Sequence, residues 1–364
     1  MSQPERLRVL FIARSFPPIV GGMENMAHNL LTNMSAYADV TSLVNRRGKR
    51  ALPWFLPYSI VAGARLAREV RPDVIHVADA LLAPVGLVLK RLTGVPVTAS
   101  VHGLDLTFPN SAYQAVVTKA VRRLDLVIAN SRATEAVISR LCGADVPTAA
   151  VPLGLNPLPE PNEEIARSLK ERISLRTDGR RRTLLTVGRL IKRKGVAWFV
   201  EHVLPLLSKS VTYVVVGEGP ERAAVLQAAD RAGVGDRLRL PGRLSDDELA
   251  ALYRMADVFV MPNVSVPGDM EGFGLVALEA AASGLPVVAA RLEGITEAIK
   301  DGSNGILVPP EDGEAFVAAL KGLLRLSRKD RREIGGRFAA YTTRHYSWNR
   351  TARQYVEAIG RIAA

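Results

Sequence analysis

Short, β-rich apolar runs recur along the whole chain, and between them apolar residues fall at helical spacing. In the first half the strand-like runs are residues 7–13, 40–44, 74–77, 97–101, 126–129 and 148–151, with helical patterns over 23–34, 60–70, 112–123 and 132–141. The second half repeats the plan, with strands over 183–187, 211–216, 238–240, 258–261, 287–290 and 306–308 and helices over 195–207, 221–232, 245–255, 275–283 and 313–326. Strands that alternate with amphipathic helices predict parallel sheets, so the fold class is α/β with two doubly wound, Rossmann-like halves. The halves share architecture and show no sequence repeat.

The join falls in Leu153-Gly-Leu-Asn-Pro-Leu-Pro-Glu-Pro161, whose prolines admit neither a helix nor a central strand. It divides the chain into an N-terminal domain over 1–155, a C-terminal domain over 156–340 and a last segment over 341–364. Open parallel sheets bind ligands outside the carboxyl ends of their strands, so two such halves predict a cleft with both sets of strand ends facing it. Residues 344–364, with Trp348, Tyr355 and Ile359, read as a helix crossing back over that cleft to the first domain.

Composition adds limits. At 48% hydrophobic and 23% charged residues the chain is globular, and 364 residues suffice for two cores. The single Cys142 excludes an internal disulfide and a cysteine zinc cluster. No apolar run approaches the roughly 18 residues of a membrane span, and the first residues carry no secretory pattern, so the expected location is cytoplasmic. The net charge of +12 fits nucleic acid, anionic lipid and phosphorylated substrates alike. Of the basic clusters at 46–50, 180–182 and 328–332, the last two read as solvated surface.

The candidate chemistry lies at strand ends. After the turn-rich loop 261–269 comes Glu271-Gly-Phe-Gly-Leu-Val-Ala-Leu-Glu279. It puts one carboxylate on a loop, Gly272 and Gly274 at a helix N-terminus, and a second carboxylate inside the helix. The helix end suits a phosphate and the carboxylates suit hydroxyls, which together fit a sugar nucleotide. The bland alternative is a helix-dipole partner followed by a solvated glutamate. A hydrolytic pair is disfavoured: eight residues along a helix separate the carboxylates by about 12 Å, against about 5–9.5 Å across a sugar.

Gly188-Arg189-Leu-Ile-Lys192-Arg193-Lys194-Gly195 follows the first strand of the second half, and Arg189 and Lys194 can converge on a diphosphate. Gly21-Gly22 opens a helix after the first strand, and His102-Gly103 ends the fourth. The remaining histidines show no metal-ligand spacing, and neither His-Glu-x-x-His nor Asp-x-Asp occurs, so no built-in divalent metal is expected. Gly217-Glu-Gly219 begins a dinucleotide fingerprint but has Arg222 where its third glycine belongs.

Taken in order, Gly21-Gly22, His102-Gly103, Gly188-Arg189, Arg193-Lys194-Gly195, and Glu271-Gly-Phe-Gly with Glu279 and Ala280-Ala-Ala-Ser-Gly-Leu-Pro-Val-Val resemble the retaining glycosyltransferases of family 4 over essentially the whole chain. The resemblance implies the GT-B fold and transfer from a nucleoside-diphosphate sugar, of the GDP-mannose or UDP-glucose/UDP-GlcNAc type, to a lipid, glycan or small-molecule acceptor. It implies a same-face displacement that needs no metal or other cofactor. Arg189 and Lys194 would bind the donor diphosphate, with Gly188 beside them. Glu271 would hold sugar hydroxyls, helped by the amides of Gly272, Phe273, Gly274 and Leu275, and Glu279 would hold the ribose. His102 would line the donor sugar, Gly21 and Gly22 would approach phosphate or acceptor, and Gly242, Arg243 and Leu244 would surround the base. The 152–161 joint would act as a hinge and the terminal helix as a strap.

The basic, aromatic stretch 46–58, containing Trp54, Phe55 and Tyr58, is the best place for an acceptor or an anionic membrane surface, against the alternative of an ordinary loop feeding a core helix. Rival readings are another two-Rossmann enzyme, such as a sugar-nucleotide epimerase, and a non-catalytic binder of nucleic acid or membrane. Nucleic acid is supported by charge alone and is not expected as a partner.

Overall fold

The computed structural model describes residues 6–19, 21–156, 158–175 and 181–363. Residues 1–5, Val20, Pro157, Arg180 and Ala364, on which parts of the sequence reading fall, lie outside them. The chain forms two compact units, Met1–Gly154 joined by Tyr346–Ala364, and Leu155–His345.

The first unit runs β1 (Arg8–Ala13), α1 (Gly22–Met34), β2 (Asp39–Val44), α2 (Leu52–Val70), β3 (Val74–Val77), α3 (Ala83–Thr93), β4 (Val97–Val101), α4 (Leu104–Thr107), α5 (Ser111–Val121), β5 (Leu126–Ala129), α6 (Arg132–Cys142) and β6 (Thr148–Ala150). The second runs α7 (Glu163–Arg172), β7 (Arg182–Val187), α8 (Val196–His202), β8 (Val211–Val216), α9 (Arg222–Arg231), β9 (Leu238–Gly242), α10 (Asp246–Met255), β10 (Val258–Met261), α11 (Leu275–Ala282), β11 (Val287–Ala290), α12 (Ile295–Ala298), β12 (Ile306–Val308), α13 (Gly313–Arg325) and α14 (Arg328–His345). A last helix, α15 (Trp348–Ala363), returns to the first unit.

Each unit holds one six-stranded sheet, in the orders β2-β1-β3-β4-β5-β6 and β12-β11-β10-β7-β8-β9, and every neighbouring pair is parallel. Central strands such as β8 and β10 are buried at every residue, which a sheet covered on both faces requires. In both sheets the chain leaves a founding strand in one direction and then returns to its other side, β1 in the first and β7 in the second. Such switch points open a crevice at the carboxyl ends of the strands.

Several elements depart from the sequence pattern. Helix α2 begins at Leu52, eight residues before the expected start, because Pro53 falls in the first turn, where a missing N–H costs nothing. The expected helix over 195–207 stops at His202, and Pro205 starts a separate 3-10 turn, Leu204–Leu206. The chain is helical from Arg328 to His345 and breaks at Tyr346-Ser347, where the Ser347 hydroxyl accepts the Arg350 N–H as a cap. The basic cluster at 328–332 is not all solvated surface: Arg331 is buried, donates to Leu326 O and pairs with Asp257 at 2.7 Å.

Helix α15 buries Trp348, Tyr355 and Ile359 against the first unit. Thr351 Oγ1 donates to Pro152 O at 2.8 Å and Tyr37 OH to Asn349 Oδ1 at 2.6 Å. Tyr355 OH lies 3.2 Å from Ser100 Oγ, which also touches His76 Nε2 at 3.0 Å. Burial, with His102 nearby, pushes His76 down to about 3, so its ring is neutral and structural.

Candidate active site

In the second unit the switch-point crevice opens beyond the carboxyl ends of β7 and β10. From β7 emerge Gly188, Arg189 and the turn Lys192–Lys194; from β10 emerges the loop 262–274 that leads into α11. The two loops are locked together. Val264 N donates to Arg193 O at 2.9 Å. Gly195 has φ 65, and a Cβ there would stand 1.8 Å from Pro262 O, so no side chain fits.

This locking brings buried charges into contact. Glu271, Lys194 and Arg193 are 9%, 8% and 7% exposed, a depth at which an ion must be paired. Lys194 Nζ is 2.5 Å from Glu271 Oε2, Arg193 Nε is 3.5 Å from the same oxygen, and Asn263 Nδ2 donates to it at 3.1 Å. Arg193 Nη1 also reaches Asp269 Oδ1 at 3.2 Å. Burial alone would raise the Glu271 carboxyl, but the Lys194 and Arg193 charges and the Lys194 and Asn263 hydrogen bonds outweigh it and hold it below the usual carboxylate range. Glu271 is therefore an anion.

The backbone of Glu271 is clamped as well. Its N–H donates to Glu293 Oε2 at 2.5 Å, and its carbonyl accepts from Gly294 N at 3.0 Å. Glu293 holds φ 46, a left-handed conformation that costs a non-glycine residue about 1–3 kcal/mol. Strain of this kind concentrates at functional sites.

Phe273 is buried and Gly274 caps α11 at its N-terminus, followed by Leu275. One residue past the middle of α11, Glu279 accepts from Tyr253 OH at 3.3 Å. Burial pushes the Glu279 carboxyl up to about 7, the Tyr253 hydrogen bond opposes this, and the Asp246 charge adds to it. Gly217 packs so tightly on the β7 turn that a Cβ would lie 2.0 Å from Gly188 O, which explains the incomplete glycine fingerprint as close backbone packing. Gly242 ends β9; Leu244 packs against the apolar core, while Arg243 is exposed and 3.9 Å from Glu218. Arg189 is exposed.

In the first unit, His102 follows β4. Its Nε2 lies 3.1 Å from Ala78 O; a carbonyl can only accept, so Nε2 donates, and Nδ1 is buried with no partner among the described residues. Gly21 caps α1, where the Glu24 carboxylate folds back so that a Cβ on Gly21 would lie 2.2 Å from it. This helix end already faces a carboxylate. Gly22 has open space around its Cα.

Residues 181–326 match the family described as glycosyl transferases group 1, and residues 20–157 that described as glycosyltransferase family 4. A GDP-mannose-dependent alpha-(1-6)-phosphatidylinositol monomannoside mannosyltransferase of Mycolicibacterium smegmatis is 30% identical over 357 residues, covering 88% of this chain and 90% of that protein. The chain belongs to glycosyltransferase family 4.

Solved structures similar to this family-4 glycosyltransferase include HepE of Anabaena in complex with UDP-glucose, with a TM-score of 0.75 and 20% identity over 98% of this chain and 100% of that one. The catalytic domain of starch synthase IV from Arabidopsis thaliana bound to ADP and acarbose gives 0.76 and 17%, over 99% and 100%. At these identities the likeness is one of fold, the GT-B pairing of two Rossmann-like units. Within the glycosyltransferase, the structure gathers Lys194, Glu271 and Gly272 to Leu275 around one crevice. It adds Asn263 and Glu293, which sequence reasoning missed, and gives a partner to Asp269, which the sequence set ahead of Glu271 without a role; the polar content of the 262–270 loop was a signal for Asn263, and no local spacing marks Glu293. In the first unit it adds Arg14, whose Nε is 2.9 Å from the buried Asp79, and Asp105, which accepts from His102 N at 2.9 Å.

Proposed function

We propose that this glycosyltransferase is a retaining hexosyltransferase that uses a nucleoside-diphosphate sugar and passes the sugar to a hydroxyl of a lipid, glycan or small-molecule acceptor. The observation that carries the reading is the buried Lys194–Glu271 contact at the β7/β10 switch point. Among the described residues the side-chain partners of Glu271 all reach Oε2, which leaves Oε1 to accept sugar hydroxyls. The α11 N-terminus and Lys194, with Arg189, face the charge that grows on the departing diphosphate.

In the step, the bond from the anomeric carbon to the phosphate oxygen breaks. The acceptor oxygen bonds to that carbon on the same face and passes its proton to the leaving phosphate oxygen. No metal takes part, and His102, Gly21 and Gly22 belong to the transfer machinery on the first unit. The mannosyltransferase relative names GDP-mannose and the two structural relatives UDP-glucose and ADP, so Gly242, Arg243 and Leu244 are assigned to the base without naming it.

The test is transfer with each donor, with the product's anomeric configuration read by proton NMR. Retained configuration, a rate unchanged by EDTA, and a loss of about 10²-fold or more in Lys194→Ala and Glu271→Ala are expected. Inverted product, or near-normal rates in either variant, contradicts the reading.

A membrane-borne acceptor is supported by α2. Trp54 (80% exposed), Tyr58 and Val61 share one face of this helix, and Arg46, Arg47, Lys49 and Arg50 precede it. Among the described residues no helix is long and apolar enough to cross a membrane. Co-sedimentation with phosphatidylserine vesicles, weakened in Trp54→Ala, is the expected result; equal recovery with neutral vesicles contradicts it.

A further inference from the structure

At the amino edge of the second sheet, opposite the crevice just described, lies a cavity of about 710 Å³. The starts of β7, β10 and β11, the ends of α10 and α11, and the first turns of α14 enclose it. Its walls bring together two basic stretches far apart in the chain: Arg181 and Arg182 on one side, and Arg328, Arg331 and Arg332 on the other, with Arg254 from the last turn of α10. Asp257 is the one carboxylate on the described wall, and it is occupied: Oδ2 accepts from Thr183 N at 2.8 Å and Oδ1 from Arg331 Nη2 at 2.7 Å. Arg331 is thereby neutralised and anchored. The exposed Arg254, Arg328 and Arg332 have no side-chain hydrogen bond or ion pair among the described residues.

Arginines at helix C-termini commonly answer the helix dipole, and Arg254 alone could do that for α10. That account does not cover Arg328 and Arg332, which stand in the first turns of α14, where positive charge is unfavourable and Asp330 is the one acidic residue of the first turn. A concave lining in which arginines outnumber a single, already paired carboxylate focuses a positive field, and the volume is that of a small-molecule site. Guanidinium forks match phosphate oxygens in pairs.

We propose that this cavity is a second anion site, which binds a small, multiply charged phosphate compound through Arg254, Arg328 and Arg332, with Arg331 and Asp257 as its rigid floor. The site is separate from the donor crevice and does not depend on the function proposed for it.

The probe is sodium tripolyphosphate, titrated calorimetrically into the full chain at fixed ionic strength. The wild type and Lys194→Ala, which removes the donor contact, should bind it alike at this site. The triple variant Arg254→Ser/Arg328→Ser/Arg332→Ser should lose about 10²-fold in affinity, at roughly tenfold for the first charge removed, while keeping its melting temperature and nucleotide binding. If the triple variant unfolds, Arg254→Ser alone, an exposed substitution, carries the test with a loss of about tenfold. Undiminished binding in the arginine variants, complete loss in Lys194→Ala, or an equal response to sodium sulfate at matched ionic strength would overturn the proposal. Lys194→Ala that still binds nucleotide normally would instead count against the donor assignment and leave the cavity untouched.

Discussion

Glu271 is stable as a buried anion only because three side chains converge on one of its oxygens, and removing any of them changes both folding and chemistry. Arg193 is the most exposed to this argument, since it also holds Asp269. Arg193→Ala leaves the buried Glu271 to Lys194 and Asn263 and strips the half-exposed Asp269 of its partner, and breaking a buried pair costs about 3 kcal/mol or more. We expect the melting temperature to fall by several degrees and the transfer rate to fall with it; a variant as stable and as active as wild type would refute the pairing. Glu279 gives a pH prediction. In the proposed ribose role the ionised carboxyl offers two acceptor oxygens, protonation turns one of them into a donor, and burial raises the group to about 7. Protonation as the pH falls through that value must therefore weaken nucleotide binding, by about tenfold at pH 6 relative to pH 8. Calorimetry should show this slope in the wild type and a flat line in Glu279→Gln. Lys194 and Glu271 stood out in the sequence because glycines bound their loops at strand ends. Glu293 and Asn263 did not, because their partners arise from tertiary contact and no local spacing marks them. Arg331 was read as surface because a run of arginines does not show which one turns inward.

The two loops of the β7/β10 crevice behave as one element because Gly195 lets them touch. Gly195→Ala imposes a left-handed alanine and drives its Cβ into Pro262 O, so it should cost more than the about 1–3 kcal/mol of strain alone and part the loops. Gly302→Ala is the control: its φ is 74, but nothing lies within 4 Å, so only strain applies. A melting temperature equal in the two variants, or full activity in Gly195→Ala, would show that the close approach is not needed. Strands buried on both faces were readable to within a residue or two, as β3, β8, β10 and β11 illustrate. Helices with proline near their start were not, because Pro53 and Pro84 resemble loop residues until the first-turn exemption applies. Helix α14 was missed because its glycines and arginines blur the apolar period.

At the scale of the whole molecule, alternation of strands and helices announced two doubly wound units, but the strand orders depend on which side each crossover takes and left no mark in composition. The first unit also carries an acid-sensitive joint. His76, which bridges β3 to β4 and touches α15 through Tyr355, is pushed down to about 3 by burial, whereas an unfolded histidine titrates near 6.5. Between those values the unfolded chain binds a proton that the folded one refuses. Stability from this group is thus complete above about pH 6.5 and falls by about 1.4 kcal/mol per pH unit below it. Acid melts should follow this slope and flatten in His76→Gln.

The central claim is that the β7/β10 crevice holds a nucleoside-diphosphate sugar through Lys194 and Glu271. Its most direct test is calorimetric binding of UDP, GDP, ADP and their sugar conjugates, without added metal, to the wild type and to Lys194→Ala. Selective binding of one nucleotide sugar by the wild type, lost in the variant, is the predicted result. Equal binding by both proteins, or binding of none while RNA is bound, would contradict it.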